Sequence, residues 1–291
     1  MGLFPGFTDE RLAVNGVEIQ AVVGGSGPPL LLLLHGAPQS HVMWHHLAPR
    51  LAERFTVVAT DLRGYGDSSK PPGGGDHGDY SFRTMAADQV GVMNQLGHNV
   101  FSVVAHDRGA RVTHRMLLDH PEAVTRAALL DIVPTKYVYD HADRALATAY
   151  FHWFFFIQPA PLPELMIESN AALLLKAFLG AFGGTDCYDP AAMAEYERCF
   201  TNPDAIHAMC EDYRAAASID LVHDTADEGR RIECPLLILW GTRGVVGRLY
   251  RPIEVWRQYA SDVRGQGIDA GHFLAEERPD DTFAALDAFL R

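Results

Sequence analysis

Short, wholly apolar runs punctuate the chain at intervals. Leu30 to Leu34 is entered from Gly27-Pro28-Pro29 and left at His35-Gly36. A run of that length between turn formers predicts a strand buried on both faces. Similar runs occur at Phe55 to Thr60, Val100 to Ala105, Ala127 to Leu130 and Leu236 to Trp240. Helix-length segments lie between several of them, among them Ser81 to Leu96 and Ala110 to His120. The alternation predicts an α/β fold with a mostly parallel central sheet flanked by helices. After Pro134 the chain turns aromatic and helical until about Leu221, with no convincing core strand. Residues 134–221 are therefore expected to form a helical cap (lid) inserted into a core made of residues 1–133 and 222–291. Asp280 to Leu290 reads as a last helix packed on the sheet, and Gly73-Gly74-Gly75 as a surface loop.

The 291 residues are enough for one sizeable core plus an inserted element. The formal net charge of -13 makes nucleic acid and anionic membrane poor partners, because the summed field repels phosphate. An anionic substrate would need local arginines to overcome that field. Cys187, Cys199, Cys210 and Cys234 show no CxxC pair and no ligand-like spacing with histidine, so neither a disulfide framework nor a metal site is expected. Met1 to Glu10 lacks the basic start and apolar run of a secretory signal, and no segment approaches the length of a membrane span. A cytoplasmic location is expected.

The chemistry-bearing stretch is Val103-Val104-Ala105-His106-Asp107-Arg108-Gly109-Ala110-Arg111, where an apolar strand meets a helix start through small residues. That is the form of a nucleophile elbow, in which a sharp turn thrusts the central side chain into a site. Here the central residue is Asp107, whose carboxylate could displace a leaving group from saturated carbon and form an ester. Halides and epoxides are the natural reactants. Taken alone, the motif reads equally well as Asp capping the following helix. His35-Gly36-Ala37-Pro38, after the first buried strand, is the loop expected to supply one oxyanion-hole amide, at Ala37, with the amide of Arg108 as the other. Ala270-Gly271-His272-Phe273 places a histidine just before the last helix, where the base belongs in the order nucleophile, acid, histidine. Gly241-Thr242-Arg243-Gly244 contains no carboxylate, which leaves Asp131, in Leu129-Leu130-Asp131-Ile132, as the acid. A carboxylate closing an apolar run needs a partner, and His272 would supply it.

With these residues stand His41-Val42-Met43-Trp44, Gly64-Tyr65-Gly66, His152-Trp153, Cys210-Glu211-Asp212-Tyr213-Arg214 and Gly271-His272-Phe273-Leu274. Together they resemble the fluoroacetate (haloacetate) dehalogenases of the α/β-hydrolase superfamily, through nearly the whole chain. The resemblance implies Asp107 as nucleophile, His272 as base and Asp131 as its orienter. It further implies that Arg108 and Arg111 hold the substrate carboxylate, that His152, Trp153 and Tyr213 donate to the halide, that no cofactor or metal is used, and that the protein is a homodimer. Arg108 and Arg111 are about one helical turn apart and flank the nucleophile, a placement that opposes the helix dipole and suggests a task. Tyr150 to Phe156 is a dense aromatic run, ordinarily packing, but indole, imidazole and phenol groups are also donors for a departing halide. Ala37 stands where a bulky aromatic is common in the family, leaving more room beside the nucleophile. Arg243, Arg248 and Arg251 fall in a segment less typical of the family, with no role evident.

The expected reaction is hydrolysis of a small 2-haloacid through an aspartyl ester. An epoxide hydrolase would share the Asp nucleophile and use cap tyrosines, Tyr213 with Tyr150 as a second. A non-catalytic ligand-binding protein on the same scaffold would be expected to have lost one of Asp107, Asp131 or His272, and all are present.

Overall fold

The computed structural model describes residues 2–28, 30–181 and 184–291, with side chains omitted for 30–32. Pro29, at the entry to the first core strand, and Phe182 and Gly183, in the expected cap, lie outside the described residues. Eight strands form one sheet: β1 (Thr8–Val14), β2 (Val17–Gly24), β3 (Leu30–Leu34), β4 (Thr56–Thr60), β5 (Phe101–His106), β6 (Val124–Leu130), β7 (Leu236–Gly241) and β8 (Val263–Ile268). Their spatial order is β1-β2-β4-β3-β5-β6-β7-β8. Only β1 with β2 and β2 with β4 pair antiparallel; β4, β3, β5, β6, β7 and β8 run parallel.

Each apolar run becomes a central strand because helices cover both faces of the sheet. Every residue of β5 is buried, as are Leu33 and Leu34 of β3. The sequence reading missed β1, β2 and β8. Asn15-Gly16, with φ of 46° and 80°, closes the β1–β2 hairpin in the left-handed conformation that a two-residue turn demands. The edge strand β8 is largely exposed and holds two glycines, so it carries no apolar run.

Chain direction places the site. From β3 the chain crosses to β4 on one side and later to β5 on the other, and a crevice opens outside the carboxyl ends of β3 and β5 at this switch point. His35-Gly36-Ala37 leaves β3 there, and Asp107 leaves β5.

Between β6 and β7 the described residues form eight helices and no strand, from Thr135 to Ala226. The boundary expected between residues 221 and 222 falls inside the helix Ile219–Ala226. The longest of these helices, Pro203–Ala216, starts with proline at its first position, and the Asn202 side chain accepts from the Asp204 amide at 2.9 Å. It buries Cys210 through Ala216 and so fixes Asp212 and Tyr213 over the sheet. The four cysteines are free thiols. Arg243, Arg248 and Arg251 are exposed; Arg243 pairs with Asp269 at 3.3 Å and Arg251 with Glu254 at 3.2 Å.

Candidate active site

Asp107 begins the helix Asp107–Asp119 with φ of 44°, a left-handed conformation that few residues with a side chain adopt. The bend is held by close packing around it. A Cβ on Gly36 would fall 2.4 Å from the Asp107 Cβ, and one on Gly109 would fall 2.5 Å from the His35 carbonyl oxygen. Gly109 also donates its amide to that carbonyl at 2.8 Å. The two loops therefore interlock backbone to backbone, and the Ala37 amide donates to Asp107 Oδ1 at 3.1 Å. The Arg108 amide is one of the leading N–H groups of the helix, which have no intrahelical acceptor.

Asp131 follows β6 directly and is also left-handed, with φ of 53°. Its Oδ2 accepts from His272 Nδ1 at 2.6 Å and its Oδ1 accepts from the Gly241 amide at 2.9 Å. Thus the end of β7, which has no carboxylate, contributes a backbone donor that aims the carboxylate after β6. His272 turns its other nitrogen, Nε2, toward Asp107 Oδ2 at 3.8 Å, too long for a hydrogen bond. Its loop is braced on both sides. His106 Nε2 donates to the His272 carbonyl at 2.9 Å, and the Glu277 carboxylate accepts the Gly271 and Phe273 amides at 2.6 and 3.0 Å.

The electrostatics follow from burial and neighbours. Burial alone would push the Asp107 pKa up, but His272, Arg111, His106 and Arg108 together hold it down at about 2, so the carboxylate stays ionised. Burial would lower His272, yet the Asp131 bond and charge and then Asp107 raise it above its ordinary value. Burial lowers His152 to about 3 and keeps that ring neutral.

A cavity of about 170 Å³ opens over these groups. Asp107, His272 and Ala37 line its floor, and Tyr150, His152, Trp153, Phe156, Phe178 and Tyr213 belong to the helices above. Among the described residues, no side-chain hydrogen bond engages His152, Trp153 or Tyr213. The structure therefore brings Asp107, Asp131, His272, Ala37, His152, Trp153 and Tyr213 together.

The arginines stand differently. Neither is among the residues lining the cavity. Arg108 is fully buried and commits Nε (2.7 Å) and Nη2 to Asp212, which also accepts from Tyr65 Oη at 2.6 Å. Arg111 Nη1 donates to Val133 O and Thr135 Oγ1 at 3.1 and 3.0 Å. Arg108 Nη1 and Arg111 Nε are buried without a protein partner, and Arg111 Nη2 makes no hydrogen bond either. Each guanidinium also lies over an aromatic ring of the cavity wall, Arg108 at 4.3 Å from the Tyr213 centroid and Arg111 at 4.6 Å from that of Trp153. The role of Asp212 was not read from the sequence, although it sits inside a motif that was singled out; its partner is distant in the chain.

The model of the α/β hydrolase fold matches residues 29–279. The chain is 46% identical to the fluoroacetate dehalogenase of Burkholderia sp over 290 residues, covering 99% of this chain and 95% of that protein. It is 33% identical to the soluble epoxide hydrolase of Corynebacterium sp. (strain C12), covering 94% and 93%. The crystal structure of ALR0039 from Nostoc sp PCC 7120, provisionally assigned as an α/β hydrolase, superposes with a TM-score of 0.96 at 53% identity over 98% of both chains. Fold, elbow and similarity agree, and the chain belongs to the fluoroacetate dehalogenase family of the α/β hydrolases.

Proposed function

We propose that this hydrolase cleaves the carbon–halogen bond of small 2-haloacids such as haloacetate through an ester on Asp107, with the helices after β6 acting as a cap. One observation carries the reading. Arg108 and Arg111, whose charges help hold Asp107 ionised, each keep a buried, unpartnered guanidinium nitrogen behind the aromatic wall of the cavity. Unpaired donors in the interior are costly, and a carboxylate oxygen is the acceptor that suits them.

In the first step Asp107 Oδ2 attacks the α-carbon while Oδ1 stays on the Ala37 amide. The halide leaves with the bonding electron pair, toward His152, Trp153 and Tyr213. In the second step His272 Nε2 takes a proton from water, whose oxygen adds to the Asp107 carbonyl carbon. The Ala37 and Arg108 amides stabilise the oxyanion. The hydroxyacid then departs with Oδ2, which takes the proton held on His272; the carboxylate is restored with an oxygen from water, and the proton left on that oxygen passes to solvent. Esterification removes the Asp107 charge, one of the groups that raise His272, so the imidazole becomes easier to hold neutral at the step that uses it.

Tyr150 and Tyr213 both line the cavity, and a tyrosine pair could instead polarise an epoxide oxygen; this supports a second reading as an epoxide hydrolase. The decisive experiment treats His272→Ala with chloroacetate or fluoroacetate. One equivalent of halide and a stable covalent adduct on Asp107 are expected by mass spectrometry, with turnover in the wild type. Diol formation from epoxides with no halide release from any haloacid would replace the first reading by the second.

A further inference from the structure

Away from the cavity, polar atoms of one kind crowd together beneath the loop that follows β3. His45 and Glu276 are more than nine-tenths buried, and His46 beside them is half-buried. His45 Nδ1 donates to the Val42 carbonyl at 3.0 Å, which leaves Nε2 as a lone-pair acceptor with no partner. Glu276 Oε1 accepts from Tyr196 Oη and from Gln39 Nε2, the latter at 3.2 Å, while Oε2 has no partner. Gln39 Oε1, on the same amide, is also unpartnered. Three buried acceptors here have no partner, and the N–H that comes within 3.9 Å of Glu276 Oε2, on His45 Nδ1, is already given to the Val42 carbonyl. A cation satisfies acceptors that no protein donor reaches.

We propose that His45, His46 and Glu276 bind a divalent transition-metal ion of the zinc class. Each residue offers one ligand atom, and these atoms lie within 4.8 Å of one another. Two imidazoles and a carboxylate are a ligand set that zinc takes with water in the fourth position. Tetrahedral bonds of about 2.1 Å put ligand atoms about 3.4 Å apart, so the set must contract slightly. His46, half-buried and packed ring to ring on His45 at 3.8 Å, is the ligand with solvent on one side. The Val42 carbonyl on His45 Nδ1 is the outer contact that fixes a metal-binding tautomer. The ion would tie Glu276, four residues beyond His272, to the segment that follows the Ala37 loop. It takes no part in the hydrolytic steps, so the inference is independent of the proposed reaction.

The test titrates the chelator-treated full-length protein with Co²⁺, read by its visible ligand-field absorption, and then displaces it with Zn²⁺ in a calorimeter. Binding of one ion per chain is expected. His46→Ala should weaken it by at least the roughly 10–100-fold that loss of even an outer-shell contact costs. Glu276→Gln, similar in shape, should weaken it likewise. Absence of saturable binding, or His46→Ala binding as tightly as wild type, would overturn the assignment.

Discussion

At residue scale the proposed chemistry depends on one histidine between two carboxylates. His272 Nδ1 is bonded to Asp131 while Nε2 faces Asp107, and both acids raise its pKa against burial. A general base must be unprotonated, so kcat is expected to be low below the His272 pKa and to rise as pH rises through it. Asp131→Asn removes the first-named support of the imidazolium. The acid limb of the kcat–pH profile should then move to lower pH, while the plateau falls by up to about 10⁴-fold, the cost of a misplaced tautomer in a serine-protease triad. A limb that stays in place would mean that the ionisation belongs to another group. Asp107, held at about 2, should contribute no limb of its own in the working range. Asp107 could be read from its motif because a strained turn leaves a local mark, small neighbours around a polar residue at a strand end; His272 rested on chain order, and Asp131, between Leu130 and Ile132, on the lack of a carboxylate after the next strand.

At the scale of elements, the tie between the sheet layer and the helices after β6 is the buried pair of Arg108, on the helix after β5, with Asp212, on Pro203–Ala216. Both side chains are fully excluded from solvent, so removing one partner strands the other charge. Asp212→Ala is expected to destabilise the fold by about 3–5 kcal/mol, measurable by denaturant unfolding. Loss of less than about 1 kcal/mol would show that water reaches Arg108 and that the helices are loosely seated. The sequence disclosed an unusual arginine at a helix start and left its partner unnamed. Periodicity reports which face of an element is buried and says nothing about which distant element covers it. The same limit separates the strands that were read from those that were not. A strand covered on both faces is ordinarily a continuous apolar run, whereas β1 and β8 are exposed along most of their length, and in β2, though largely buried, Glu18 and Gln20 interrupt the run.

The substrate space belongs to the whole molecule, because its floor comes from the ends of the sheet strands and its roof from the inserted helices. At about 170 Å³ it equals about five or six water volumes, more than haloacetate fills. Ala37 supplies only a methyl group beside Asp107. Wild type should therefore accept 2-chloropropionate as well as chloroacetate. Ala37→Phe should lower the ratio of kcat/KM for the branched over the unbranched acid by about 10–200-fold, the range for a misfitted methyl group. Comparing ratios separates this effect from any disturbance of the Ala37 amide. An unchanged ratio would place the branch elsewhere in the cavity.

Local signals in the chain determined the α/β class, most of the parallel core and the residues at the two strand-to-loop bends, because burial pattern and turn chemistry are properties of neighbouring residues. Tertiary structure alone decided that Gly241 aims Asp131, that Asp212 occupies most of Arg108, that two guanidinium nitrogens remain over, and that His45, His46 and Glu276 meet. Each of those depends on which strands lie side by side and which helix closes over them. That order is set by the summed packing of the whole chain, which no short segment records.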